Sequence, residues 1–169
     1  MRIVASLVLL IATVAAGCGG GPTKTATQVE TETGKQPLSK ADYTALGDVI
    51  CKNHQSRRED LESQTIDLGR LNSEDKAHRV AALLRQESEN LTAEVQELAA
   101  LQPPSADAGA VASVLSLLRA KAGVIDKWAK AYDALDTAGI RALQVRIGVA
   151  TAKAAGRGRE YGFKVCGQE

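Results

Sequence analysis

Between positions 111 and 132 apolar residues recur at alternating steps of four and three: Val111, Leu115, Leu118, Ala122, Ile125, Ala129 and Tyr132. On an α-helix these positions form one stripe, the a/d rhythm of helices that pack side by side. No single loop covers a stripe of that length, so the chain has to supply further helices. Past the initiator it has no methionine and few aromatic residues, but many Ala, Leu, Arg, Gln and Glu, all good helix formers. Ser39 and Asp42 make a capping-box-like pair that opens helix one, with Tyr43, Leu46, Ile50, Leu61 and Leu68 on its stripe and Arg57 among them. Gly69, Asn72 and Ser73 break and recap the chain. Helix two follows on Val80, Leu84, Leu91, Val95, Leu98 and Leu101. Pro103 and Pro104 stop it and restart the chain, since proline disfavours helix in the residue before it and suits a helical first turn. A turn over 136–139 leads to helix four on Ile140, Leu143, Ile147, Ala150 and Ala154, loosened at its end by Gly156 and Gly158. The expected fold is all-α: an antiparallel up-down four-helix bundle occupying residues 40–169 as one domain.

The N-terminus has a different character. Arg2 is the only charge in the first 23 residues, and residues 3–16 carry none. That run is shorter than the roughly 18 residues of a membrane span and ends in small residues, as a secretory signal does. Ala15, Ala16, Gly17 and Cys18 resemble the last four positions of the lipobox of bacterial lipoproteins, with Ala15 where leucine is usual. The resemblance implies a signal peptide over 1–17, cleavage after Gly17, and a diacylglyceryl thioether with palmitate-type acyl chains on Cys18. It also implies export and anchoring to a bacterial membrane, on the cell surface or periplasmic side. Gly19, in place of the aspartate that marks inner-membrane retention in some bacteria, leans toward the outer of two membranes. Each buried acyl methylene contributes about 0.8 kcal/mol, so two or three chains on one residue hold a protein firmly. Residues 18–39 are rich in Gly, Thr, Lys, Glu and Gln and poor in large apolar groups. They read as a flexible tether, holding the domain some 25 Å from the bilayer (~5–6 Å times the square root of its length).

With Cys18 assigned to lipid, Cys51 and Cys166 remain, and an even pair in an exported chain favours a disulfide. Helix lengths agree. If helix one covers about 40–70 and helix four about 138–158, helix four descends roughly 30 Å and brings the tail level with position 50. The bond then links helix one to the C-terminal tail. Removing Arg2 from a formal charge of +1 leaves the mature side chains balanced, which offers nothing to nucleic acid.

Few residues carry the pattern of a chemical site. Asp75 and His78 share a helical face and His54 follows Cys51, yet a di-iron bundle needs Glu-x-x-His on two helices. Asp75 and His78 fit capping of a first turn, and no metal or other cofactor is expected. Glu87, Glu89, Glu94 and Glu97 are not confined to one face and read as solvated surface, Glu87 and Glu94 nearest the seam. Arg57 and Arg58 precede Glu59 and Asp60, which favours local pairing. Lys153, Arg157, Arg159 and Lys164 form a basic excess suited to a helix C-terminus, to anionic headgroups or to wall polymer. Trp128 sits beside the helix-three stripe, at a core boundary or in contact with a ligand. No phosphate loop and no Gly-x-Ser-x-Gly elbow is present.

Ile50 and Cys51, the run Leu98-x-x-Leu101-x-Pro103-Pro104, and Gly162-Phe163-x-x-Cys166-Gly167 together resemble small helical lipoproteins of high-GC bacteria. The resemblance implies a bundle and a surface location and carries no catalytic residue with it. The expected role is non-catalytic: a lipid-anchored interaction or accessory module of the cell envelope with a protein partner. The alternative is an envelope solute- or metal-binding bundle, with His54, Asp75, His78 and Trp128 as the residues for ligand contact. A dry Leu/Val/Ala interior favours the first reading, and a cavity around Glu87, His54 or the Asp75–His78 pair favours the second.

Overall fold

The computed structural model describes residues 36–67 and 74–166. The signal segment, Cys18, the tether to residue 35, Leu68, Gly69, the Asn72 and Ser73 turn, and Gly167 lie outside the described residues. Within them are four α-helices and no strand: α1 (Lys40–Asp67), α2 (Glu74–Ala100), α3 (Ala108–Asp133) and α4 (Thr137–Tyr161). At 1.5 Å per residue each is about 37–42 Å long. Successive helices run antiparallel. Tyr43 of α1 meets Leu98 of α2 and His54 meets Asn90, while Ser88 of α2 meets Ala122 of α3 and Arg85 meets Asp133.

Local chemistry sets the ends. The Ser39 hydroxyl accepts the Asp42 N–H at 3.2 Å and donates to the Asp42 carboxylate at 2.6 Å, capping α1. After Pro103 and Pro104 the chain makes a single 3-10 turn (Ser105–Asp107) before α3 begins. Asp136 caps α4 by accepting the Gly139 N–H at 2.9 Å. Gly156 and Gly158 do not loosen α4; it continues to Tyr161 and stops at Gly162, whose φ of 117° only glycine adopts freely. Leu38, read as the end of the tether, packs against the core and donates its N–H to the Gln102 carbonyl at 2.9 Å.

Val111, Leu115, Leu118, Ala122, Ile125 and Ala129 are buried as their spacing requires, and Tyr132 packs against the core from its edge. Because α3 is covered by both α2 and α4, it is apolar over a length that would also cross a bilayer. The α1 stripe holds at Tyr43 and Leu61 but not at the positions between them. Leu46 and Arg57 are exposed and Ile50 is half-buried, while Tyr43, Gly47, Cys51 and Leu61 face inward with His54 and Arg58. The C-terminal tail packs on this inward side. A Cβ on Gly47 would lie 2.5 Å from the Phe163 ring, so the missing side chain admits Phe163 against α1.

Phe163, Tyr43 and Tyr161 cluster with ring centroids 5.4–6.1 Å apart. The Cys51–Cys166 disulfide stands beside them. The Asp48 carboxylate accepts the backbone N–H groups of Lys164, Val165 and Cys166 at 2.8–3.3 Å. Helices pack in chain order, α1 on α2, α2 on α3 and α3 on α4, and the tail closes α1 against α4 at this end. Ile140, Leu143 and Ile147 of α4 are accordingly only half-buried.

Candidate functional site

Beyond the disulfide, α1 and α4 part and leave a cleft of about 580 Å³. Its floor is Val80 and Leu84 of α2 with Trp128 and Tyr132 of α3, whose rings lie 5.9 Å apart. Charged residues form the walls: Arg58, Glu59 and Glu62 from α1, Glu87 from α2 and Lys121 from α3, with Gln55 and Thr151 at the sides. The seven-residue step between Glu87 and Glu94 places both toward α1, near the Leu84, Leu91 and Leu98 stripe.

Glu94 is not surface. Its side chain is 1 % exposed and accepts from Arg58 Nη1 at 2.5 Å, and its Oε1 has no hydrogen-bond partner. Arg58 therefore pairs across to α2, 36 positions away. A buried carboxylate needs such a partner, and only the folded neighbour supplies one.

Lys121 is also buried. Burial, and then Arg58, push its ammonium below the usual lysine range, while Glu87 and Glu94 pull it back. Burial raises the Glu87 carboxyl above its ordinary value, against the pull of Lys121 and Arg58, and Glu62 adds to the rise. The walls thus hold three carboxylates against two cations, with the fourth carboxylate, Glu94, behind them.

The other sequence-selected residues do not meet in this cleft. His54 has Nδ1 2.8 Å from Asn90 Oδ1 and Nε2 3.1 Å from Glu97 Oε1, so both ring nitrogens face oxygen acceptors. His78 is exposed, 3.2 Å from Asp133 and 3.8 Å from Glu74, and Asp75 is exposed beside it. His54 and His78 are tied to levels about 18 Å apart along α2 at 1.5 Å per residue, so they share no site. Cys51, Cys166 and Glu94 bring potential ligand atoms within 4.8 Å of one another, but the two sulfurs are bonded to each other. Trp128 alone among the sequence-selected ligand residues lines the cleft; its Nε1 is buried without a hydrogen-bond partner. Arg58 and Lys121 line the cleft too, without a ligand pattern in the sequence. The available signal was a charge within one residue of a stripe position, as Lys121 is beside Ala122.

The chain matches no protein-family model, no curated protein and no solved structure.

Proposed function

We propose that the protein is a lipid-anchored module of a bacterial cell envelope that binds a small organic cation in the cleft between α1 and α4. The observation that carries this reading is the wall of Glu59, Glu62 and Glu87 facing the aromatic floor of Trp128 and Tyr132. Carboxylates supply charge complementarity to an ammonium group. Aromatic faces attract the same group through their quadrupole and take its apolar part. A volume of about 580 Å³ lies within the range of small-molecule sites. Arg58 and Lys121 are the more buried of the wall charges and Glu59 and Glu62 are exposed, which leaves the acidic excess toward the mouth. Export rests on the lipobox-like Cys18, and the Cys51–Cys166 bond fits an oxidising compartment. Between the two sequence readings, a cavity that includes Glu87 favours solute binding over a purely helix-face interaction module.

Trp128 is the single tryptophan of the chain and lies in the cleft, so its emission reports occupancy. Titration with a panel of amines, quaternary ammonium compounds and matched anions should give a saturable change with the cations alone. Glu62→Gln with Glu87→Gln should abolish it. No response to any cation, or an unaltered response in the double variant, overturns the reading. Mass analysis of the recovered solute separates binding from turnover: an altered solute would make Glu87 and Lys121 an acid–base pair of an enzyme instead.

A further inference from the structure

The outward face of α4 combines cations with exposed valines. The helix carries Arg141, Arg146, Lys153, Arg157 and Arg159 and no acidic residue before Glu160. Arg141, Val145, Arg146, Val149 and Lys153 are all exposed, Val145 to 69 % and Val149 to 50 %. At 100° per residue these five fall within about 140° of the helix circumference, so they form one face. Val145 and Val149 border a shallow apolar groove against α3, walled by Leu117, Val124 and Ala150, with Arg146 and Lys153 at its edges.

We propose that this face rests on an anionic bilayer, the membrane to which Cys18 is anchored; the inference rests on the anchoring part of the function proposed above and not on the cleft. Two observations select lipid as the occupant. The first is charge. Apolar side chains flanked only by cations match an interface of acyl chains beneath anionic headgroups, as in helices that lie in the plane of a membrane. The second is reach. The chain between Cys18 and Gln36 spans at most about 60 Å when extended. It joins the bundle at the end where α1 begins, beside the C-terminal end of α4, and α4 is about 37 Å long. The tether thus reaches far enough for α4 to lie flat against the membrane along its whole length. A domain docked in this way has one face committed to lipid, and the anchor keeps that face at high local concentration.

The test uses the full acylated protein in excess vesicles, either purely zwitterionic or containing an anionic phosphatidylglycerol fraction. A spin label is placed at Val149→Cys, and at Val49→Cys on the exposed side of α1 as control. In anionic vesicles the label at 149 should become accessible to oxygen and shielded from an aqueous nickel complex, while the label at 49 stays aqueous. In zwitterionic vesicles both should stay aqueous. At roughly five-fold per cation, Arg141→Gln, Arg146→Gln and Lys153→Gln together should weaken the docked population by about a hundredfold. An aqueous label at 149 in anionic vesicles overturns the proposal, as does equal shielding at 49. Shielding at 149 that appears without lipid as protein concentration rises also overturns it and assigns the face to a second copy. Intact mass of the same sample reads acylation of Cys18 independently, so the anchor and the docked face fail separately.

Discussion

Replacing Arg58 by methionine removes the cation beside a carboxylate that is 1 % exposed. A buried pair broken on one side costs about 3–5 kcal/mol, because the remaining charge keeps its desolvation penalty without its partner. The opposite replacement, Glu94→Met, is milder for a structural reason. The Arg58 side chain is 12 % exposed and lines the cleft, so its guanidinium regains water, and the expected cost is about 1–3 kcal/mol. The double variant, with two apolar side chains of similar volume, removes both members of the pair together and should fall within about 1 kcal/mol of the parent. The cycle then closes with a coupling energy of at least about 2 kcal/mol. Urea unfolding at neutral pH with the disulfide intact measures all four proteins. At a slope of about 2 kcal/mol per molar, the Arg58 variant should lose roughly 2 M of midpoint. Losses that simply add in the double variant would refute the reasoning, and so would an Arg58 variant more stable than the Glu94 variant.

Other perturbations test other parts of the fold. Reducing Cys51–Cys166, or replacing both by alanine, frees a loop with a sequence separation of 115. The chain-entropy model puts that loss at about 5 kcal/mol, a fall in Tm of about 15–20 °C by calorimetry, and a fall under about 5 °C would contradict it. Gly47→Ala should destabilise by about 1–2 kcal/mol although alanine is the better helix former, since its methyl meets the Phe163 ring; a more stable variant in urea would mean that the ring moves freely. Leu135 is half exposed at a φ of 53°, so Leu135→Gly should stabilise by up to about 1 kcal/mol in the same assay, and a loss would show that its side chain matters more than its backbone. Burial pushes the Tyr43 hydroxyl up to about 12, and burial with Asp107 does the same for Tyr161. Their contribution to stability is complete below about 10, the unfolded value, and is lost as pH rises toward 12. Ultraviolet titration should show the phenolate absorbance of these two delayed accordingly, and ionisation near 10 in the folded protein would contradict their burial.

Much of the architecture can be read without coordinates, for reasons that attach to particular residues. The α3 stripe is legible because that helix is covered by two neighbours and every inward position has to be apolar. The Pro103 and Pro104 break is legible because it acts through local sterics, and the Cys51–Cys166 bond because helix length is proportional to residue number. Helix α1 is not legible in the same way. Its few apolar residues stand on a polar background, and part of its inward side is covered by the tail, through the space that Gly47 leaves for Phe163. The cleft is illegible for a related reason, since its shape depends on α1 and α4 being joined at one end and parted beyond it.

Sequence by itself determined the four helices, their order and breaks, and the covalent link that ties the first helix to the tail, because each follows from short-range periodicity, sterics or length. Only the tertiary structure decided which charges are buried. Arg58 has Glu59 and Asp60 as its chain neighbours, yet on α1 it points inward to α2 and meets Glu94 there. Lys121 and Glu87 likewise acquire their shifted ionisation from surroundings that four helices build together. A charge enters the interior of a protein only when a partner from elsewhere in the chain arrives to receive it, and that meeting is a property of packing.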